Sequence, residues 1–419
     1  MKKLKFAHLG MRYTTQCLRS ARAASQVCLG LLLCVAGVAQ AQQNSHPILR
    51  PGYVGDATCL ECHKDVGESY ARTAHHLTSQ LPGAESIRGH FEEGSNVLTI
   101  IDAANGAGLP SLQFRMDREG DRFFETVITG YAPHLYESRE SIDLVTGSGK
   151  RGQTYLYWHG DKLFELPVSY WSDGAQWINS PGYRNGTADF SRPVQAGCME
   201  CHSTYLRPLY EDPFSNRFDR STLVPGISCE TCHGPGADHA AKERKHLAHA
   251  PNIGDKSILN PSRFSRDRQL DLCAWCHNGI QRKPLTPAFS YMPGKPLADF
   301  FTPLQTAPVE HPDVHGNQVG LLERSRCFKS SPNMTCSTCH DTHAQERPAA
   351  SYSSRCLTCH QWQTCGVAKA LGEKIKSNCI DCHMPNEPTA VIVPQTAGHE
   401  VHASMRDHWI KVYPGAHLP

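Results

Sequence analysis

Seven copies of the pentapeptide Cys-x-x-Cys-His constrain this 419-residue chain more than any other feature. In this pattern two thiols three residues apart add to the two vinyl groups of one haem, and the next histidine is held beneath the iron as an axial ligand. A zinc ribbon or a disulfide framework would not require a histidine after every second cysteine. The sequence therefore predicts seven covalently attached haems c.

The motifs, numbered one to seven in chain order, give two sets of site residues. The predicted attachment cysteines are Cys59, Cys62, Cys198, Cys201, Cys229, Cys232, Cys273, Cys276, Cys336, Cys339, Cys356, Cys359, Cys379 and Cys382. The predicted proximal iron ligands are His63, His202, His233, His277, His340, His360 and His383.

The density of motifs predicts the fold class. Only 39% of residues are hydrophobic and 8% aromatic, and six of the motifs fall within residues 198–383. With so little protein per haem, the porphyrins themselves would form the core. We expect a mainly α fold with little regular structure around packed c-type haems, plus an inserted antiparallel β subdomain.

The inserted subdomain is predicted from the region that lacks haem motifs. NVLTII, SLQFRMDREGDRFFETVI, QTYLYW and KLFELPVSYW alternate apolar and β-branched residues, and REGD and HGDK are typical of hairpin turns. GSGKRGQT lacks the spacing of a phosphate loop and is interpreted as a turn between strands. The predicted organisation is a signal peptide (1–41), a first haem-binding segment (42–83), a β-rich haem-free subdomain (84–190) and a six-haem cytochrome domain (191–419).

The N-terminal residues are typical of an export signal. A basic stretch precedes a short apolar run, and Ala39-Gln40-Ala41 supplies a small-x-small cleavage pattern, so cleavage is expected after Ala41. The apolar run is shorter than a membrane span, although an uncleaved anchor is the alternative. Residues 1–41 carry six Lys or Arg and no acid, so their removal changes the formal net charge from +2 to −4. We expect a periplasmic or otherwise exported protein without stable membrane insertion that does not bind nucleic acid.

A second axial ligand is expected for each electron-transfer haem, and histidine is a common choice. His239 follows the third motif after a Gly-Pro-Gly turn, and His343 follows the fifth motif after two residues. His75 comes soon after the first motif, with His76 as its competitor. Two further candidates are His315, in competition with His311, and His408, within a C-terminal run that also contains His399 and His402.

Two cysteines of the mature chain are left over. Cys327 and Cys365 belong to no motif. In an oxidising compartment their simplest arrangement is a disulfide, and the alternative is a free thiol or a contact with a haem edge.

The motifs and their surroundings resemble a known family. YVGDATCLECH, the pair CMECH and CETCHGPGADH, DLCAWCHNG, MTCSTCHDTH, CLTCH and CIDCHMP are similar to multihaem cytochromes c related to cytochrome c554. The resemblance implies export, helices around stacked haem pairs, redox work, and distal-ligand roles for His239 and His343. The β segment with GSGKRGQTYLYW and LPVSYW also resembles an insert found in a bacterial subset of such proteins.

Three classes of function are consistent with these patterns. The leading hypothesis is an exported carrier that passes electrons along seven haems. Its acidic holo-protein would dock weakly and salt-dependently on basic patches of redox partner proteins. The second is a haem-dependent oxidoreductase with one open iron for a small nitrogen or sulfur compound, and with His134, His159 or Arg151 beside its pocket. The third is a scaffold in a larger redox complex.

Overall fold

Two antiparallel β-sheets and a series of short helices make up the described part of the chain. The structure is a computed structural model that describes residues 49–101, 110–183, 187–246, 256–279, 282–303, 317–389, 395–396 and 399–414. These residues all belong to the unit Ile48–Pro419. The predicted signal peptide and His315 lie outside the described residues.

The two large sheets hold the strands that the alternating pattern predicted. The first sheet contains, in chain order, β2 (Val97–Ile101), β3 (Pro110–Glu119), β4 (Arg122–Tyr131) and β5 (His134–Ser141). The second contains β1 (Ser79–Gln80), β6 (Leu144–Thr146), β7 (Gly152–His159), β8 (Lys162–Trp171), β9 (Gln176–Asn179) and β10 (Arg192–Pro193). The two predicted hairpin turns are confirmed, because Glu119 pairs with Arg122 and His159 with Lys162.

The two sheets pack face to face over one apolar core. Phe114 and Met116 of β3 and Tyr155 of β7 are fully buried there with Val168 of β8. The opposite face of the six-stranded sheet also carries apolar side chains, which pack against the helix that contains the second motif through Met199. The sheet is thereby a platform that fixes the position of this motif.

The remaining residues form short helices and three small hairpins. The helices are α1 (Asp56–Leu60), α2 (Lys64–Tyr70), α3 (Ala196–His202), α4 (Cys229–His233), α5 (Ala237–His246), α6 (Arg266–His277), α7 (Gln318–Arg324), α8 (Arg326–Ser330), α9 (Ala349–Cys356), α10 (Ala368–Leu371) and α11 (Cys379–His383). Single 3₁₀ segments cover His76–Thr78, Pro261–Arg263, Leu297–Asp299, Cys336–Thr338, Trp362–Thr364 and Gly372–Ser377. The hairpins pair β11 (Ser203–Pro208) with β12 (Phe218–Pro225), β13 (Asn386–Pro388) with β16 (Ser404–Arg406), and β14 (Gln395–Thr396) with β15 (His399–Glu400).

The predicted fold class was wrong in its emphasis. The structure is 30% helical and 26% strand, so it is not mainly α, although the label α+β fits in part. The haem-free region forms long paired strands of up to 10 residues, as in β3, β4 and β8. Helices near the motifs are short, and hairpins also occur there, which the prediction did not include. The division of the chain into domains stays a prediction.

No helix among the described residues is both long and apolar enough to cross a bilayer.

Candidate haem sites

Three of the motifs each form one helical turn, in which the histidine N–H donates a hydrogen bond to the carbonyl of the first cysteine. The backbone N–H of His63 donates to the carbonyl of Cys59 at 2.9 Å, and His340 and His360 donate in the same way to Cys336 and Cys356 at 2.9 Å. Because residues three and four apart share a helix face, one turn places both thiols and the imidazole on the same side. This is the arrangement that attachment of one planar group at its edge requires.

All seven motifs open into one cavity of about 5070 Å³. Its lining includes all fourteen motif cysteines and all seven motif histidines, with His75, His239, His343 and His408. A site for one small ligand is roughly 300–1,000 Å³, so this cavity is several times larger. It is suited to several large groups held side by side.

Four histidine pairs cross this cavity, and each joins a motif to a distant segment. The ring centroids of His63 and His239 are 6.3 Å apart, with planes at 16°. Those of His233 and His343 are 6.0 Å apart at 24°, and those of His340 and His408 are 6.2 Å apart at 22°. The rings of His75 and His277 are 5.9 Å apart with planes at 78°.

These separations fit an iron between two imidazoles. Two metal–nitrogen bonds of about 2 Å on opposite sides of one iron set the nitrogens about 4 Å apart and the ring centroids about 6 Å apart. Rotation of a ring about that axis leaves the separation unchanged, so the steep angle between His75 and His277 also fits. The histidine outside the motif in each pair (His239, His343, His408 and His75) was among the distal candidates predicted from sequence.

Backbone carbonyls orient several of these rings. The Nδ1 atoms of His233 and His383 lie 2.8 Å from the carbonyl oxygens of Leu259 and Lys411, and Nδ1 of His408 lies 3.0 Å from that of Arg406. Nδ1 of His202 lies 3.2 Å from Oγ1 of Thr78. A hydrogen bond at Nδ1 leaves Nε2 for a metal and fixes the ring plane.

Burial favours the neutral form of five of the paired histidines. Burial and nearby histidines together lower the pKa of His277 to about 4, and burial with the neighbouring His340 lowers that of His408 to about 4. Burial also lowers the pKa of His75, His233 and His340. Neutral imidazole is the form that binds iron, so these side chains are prepared for coordination near neutral pH.

Contacts between thiols show which motifs are neighbours. The thiols of Cys59 in the first motif and Cys229 in the third are close enough to shift each other's pKa. Cys201 of the second motif raises the pKa of Cys276 in the fourth. The fourth motif also reaches the fifth, because Cys336 raises the pKa of Cys273.

Further electrostatic interactions extend this set of neighbours. Cys232 of the third motif raises the pKa of both cysteines of the fourth. In the same way, Cys339 of the fifth motif and Cys379 of the seventh raise the pKa of Cys356 in the sixth. The motifs therefore form a connected series, in which the fourth has three neighbours.

Other predicted residues are placed less simply. Within the described residues, no second histidine ring stacks on His360 or His383. Arg151 lines the cavity, whereas the exposed His134 and His159 are outside its lining.

The disulfide expected between Cys327 and Cys365 was wrong, because both are free thiols. Each lies at the cavity beside motif cysteines instead: Cys327 interacts with Cys339 and Cys356, and Cys365 with Cys382. The alternative of a free thiol next to a haem edge fits this placement.

The fold and the cavity lined by all seven motifs suit a protein with several haems c. Comparisons with known proteins point to the same class. The family described as "Cytochrome c554 and c-prime" matches residues 180–234, which contain the second and third motifs. The C-type polyheme cytochrome OmcC of Geobacter sulfurreducens is 24% identical over 165 residues, covering 39% of this chain and 20% of OmcC. The multiheme cytochrome MtrA of Shewanella baltica is 22% identical over 197 residues, covering 45% of each chain.

A solved structure shares the fold. The outer cell wall cytochrome OcwA matches with a TM-score of 0.51 and 18% identity, over 86% of this chain and 80% of that one. The chain spans less than half of the length of the curated relatives named above. The chain is thus similar, over part of its length, to multihaem c-type cytochromes.

Sequence reasoning missed residues that join the motifs. Glu230 and Asp56 hydrogen-bond across the first and third motifs, and Thr78 holds the ring of His202. A sequence signal for Glu230 did exist. It is an acidic residue inside a haem motif, and such a motif is expected to be largely buried.

Proposed function

We propose that this protein is an exported electron carrier with seven covalently bound haems c. The observation that supports this most is the single cavity that collects every motif cysteine and histidine. Bound haem supplies one-electron redox chemistry. The chain's own residues supply attachment, axial ligation and close spacing between motifs, as the contacts between their thiols indicate.

The proposed iron ligands follow from the paired rings. His63 with His239, His233 with His343, His277 with His75, and His340 with His408 would each hold one iron. His202, His360 and His383 are the proposed proximal ligands of the other three haems, with His315 as a candidate on a distal side. Every paired ligand set joins remote parts of the sequence, so ligation would also hold the fold together.

The haem count has a direct test. Residues 42–419 contain sixteen cysteines, fourteen of them in motifs. Intact-mass measurement of the purified protein should show seven haems and a chain that begins after Ala41. Alkylation of the unfolded protein should label Cys327 and Cys365 alone. Fewer haems, or more labelled cysteines, would contradict the proposal.

The proposed partners are redox proteins, and the local charge of this protein favours partners whose docking surface carries the opposite charge. Residues 326–383, which hold motifs five to seven, contain seven Lys or Arg and four Asp or Glu, a net of +3, while residues 42–419 as a whole carry −4. Each of the four acids has a cationic partner: Asp341 with Arg347, Glu346 with Lys150, Glu373 with Lys376, and Asp381 with Arg406. Lys369 and Lys374 are exposed outside the cavity lining, without a carboxylate partner among the described residues. An acidic partner would suit this surface, whereas the rest of the molecule favours basic ones.

A haem-dependent oxidoreductase is the second candidate. The observation in its favour is that the loop Gly147–Arg151 lines the same cavity as the motifs and ends in two cations, which form exposed ion pairs with Glu346 and Asp173. An open iron near this loop would suit a small anion. Its test is the spin state of the irons, because an open site gives a high-spin haem that binds added nitrite or sulfite.

A further inference from the structure

A buried carboxylate from the third motif binds the backbone that leads into the first. Glu230 is 3% exposed. Its Oε2 accepts a hydrogen bond from the N–H of Gly55 at 2.8 Å, and the N–H of Val54 lies 3.0 and 3.1 Å from its two oxygens. Gly55 directly precedes α1, the helix that carries Cys59. Glu230 therefore fixes the start of the first motif.

The first motif returns a similar contact. Oδ1 of Asp56, the first residue of α1, accepts a hydrogen bond from the N–H of Cys229 at 2.9 Å. Cys229 is the first residue of α4. Each motif helix thus has a backbone N–H at its start bound by a carboxylate of the other, so the two motifs are held as one rigid pair.

Glu230 also fixes the turn that leads to His239. Its Oε1 accepts a hydrogen bond from the N–H of Gly236 at 2.8 Å, and the next N–H, of Ala237, donates to the carbonyl of Gly52 at 3.0 Å. A Cβ on Gly236 would lie 3.3 Å from Oε1, so the turn is packed directly on the carboxylate. The side chain of Glu230 therefore contacts the chain before His63 and the chain before His239.

The carboxylate is satisfied by neutral donors. It accepts three backbone N–H groups, and among the described residues no Lys, Arg or His forms an ion pair with it. A buried negative charge without an ion-pair partner favours the more positive, oxidised form of an adjacent redox centre. Burial and local charge are among the means by which proteins set haem potentials.

We propose that Glu230 is a positioning residue that holds His63 and His239 at one iron and whose buried negative charge lowers the reduction potential of that haem. This inference rests on the proposed haem binding. It adds a residue that sets the reduction potential of one haem. Glu230 touches neither iron ligand, so it acts through the backbone and through its field.

The test compares three substitutions in the holo-protein, after mass measurement has shown seven haems. Glu230→Gln keeps the shape and removes the charge, and one haem in seven should shift to a higher potential in a spectropotentiometric titration. Glu230→Asp keeps the charge on a shorter side chain and should leave that potential closer to wild type than Glu230→Gln does. Glu230→Ala releases the turn, and one haem should become partly high-spin in electron paramagnetic resonance.

Two reference variants make the result specific. His239→Ala removes the proposed ligand and should show which spectral component belongs to the first-motif haem. Glu200→Gln is the matched control, since Glu200 is a buried motif acid that accepts one backbone N–H, from Phe289 at 2.5 Å, and it should leave that component unchanged. If Glu230→Gln and Glu230→Ala both keep the wild-type potentials and spin states, the role of Glu230 is refuted, whereas the proposed haem ligands are not. An unchanged spin state in His239→Ala would overturn the ligand assignment with it.

Discussion

A histidine that binds iron must be neutral and must point in one direction, and single residues here meet both demands. Burial, with a smaller effect of His340, lowers the pKa of His408 to about 4, and the carbonyl of Arg406 holds its Nδ1. The ring of His340 lies opposite at 6.2 Å. Position in the fold, rather than residue type, thus separates a ligand from the other histidines of the C-terminal run.

Replacement of His408 tests this at the level of one residue. His408→Ala should convert one haem per molecule from low-spin to high-spin, because the iron at His340 would lose its second ligand. Absorption and electron paramagnetic resonance spectra measure the change, and one equivalent of carbon monoxide should bind to the reduced protein. His402→Ala is the matched control, since His402 lies 3.5 Å from Glu400 at the surface and should have no such effect. Equal spectra for the two variants would refute the assignment.

At the scale of elements, the six-stranded sheet supports the second motif. Leu144 and Leu163 on one face of this sheet pack with Met199 of α3, and the loop that follows β6 reaches the cavity. The geometry of this loop depends on Gly147, which has φ +90° and hydrogen-bonds through its N–H to Thr78 at 2.7 Å. Thr78 also holds His202, so strand, loop and haem ligand are linked.

Alanine at this glycine should destabilise the sheet. A Cβ on Gly147 would lie 2.6 Å from the carbonyl oxygen of Gly152, in addition to the strain of positive φ. Gly147→Ala is expected to cost about 2–3 kcal/mol of unfolding free energy. Gly160→Ala, at φ +63° with open space around it, should cost only about 1 kcal/mol. Urea unfolding measures both, and equal losses would show that the close approach at Gly147 does not matter.

Glu165 on β8 gives the same sheet a pH dependence. Burial raises its pKa to about 7, although the positive charge of Arg192 acts in the other direction and lowers it. The folded state therefore holds the proton more tightly than the unfolded state does. This contribution to stability is complete below the unfolded pKa of 4.5 and is lost as pH rises toward 7.

Removal of this titration should flatten the profile. We expect wild-type protein to lose on the order of 3 kcal/mol of unfolding free energy through this residue between about pH 4.5 and about pH 8. The loss in Glu165→Gln should be smaller by about that amount. Denaturant midpoints across this range measure the difference. The exposed Glu137→Gln is the control and should follow wild type; a Glu165→Gln profile parallel to wild type would contradict the assignment.

Sequence patterns predicted some of these elements and not others, for physical reasons. The strands of the haem-free region follow from apolar alternation because ordinary side chains fill their core, as Phe114 and Tyr155 do. Segments around the motifs carry no such pattern, because their expected core is the cofactor, and so the fold class was overstated as mainly α. Close sequence spacing pointed to His239 and His343, whereas Glu230 depends on contacts with residues more than 170 positions away.

At the scale of the whole molecule, charge is unevenly distributed around the proposed haem series. The polypeptide of motifs five to seven has a net charge of +3, before haem propionates are counted, whereas residues 42–419 together carry −4. Fields of this kind steer partners and change association rates more than affinities. Different regions of the protein should therefore attract different partners.

Charge reversal at Lys369 and Lys374 tests the docking surface. The double variant Lys369→Glu and Lys374→Glu should slow electron exchange with an acidic redox protein several-fold at low salt, and the difference should shrink as added salt screens the charges. Stopped-flow absorption measures the rates. Lys295→Glu changes an exposed lysine outside this segment and should have little effect. If both variants slow electron exchange equally, the net charge of the protein controls the rate, and Lys369 and Lys374 do not form a docking surface.

In an electron carrier of this kind, the seven motifs would hold seven haems, and two protein ligands would close each iron. Quantitative electron paramagnetic resonance of the oxidised holo-protein, with spins counted against the haem content from mass spectrometry, measures whether this is so. We expect seven haems, all low-spin. A high-spin iron at one of the seven would contradict the carrier and favour the oxidoreductase, and fewer than seven haems would contradict the motif assignment itself.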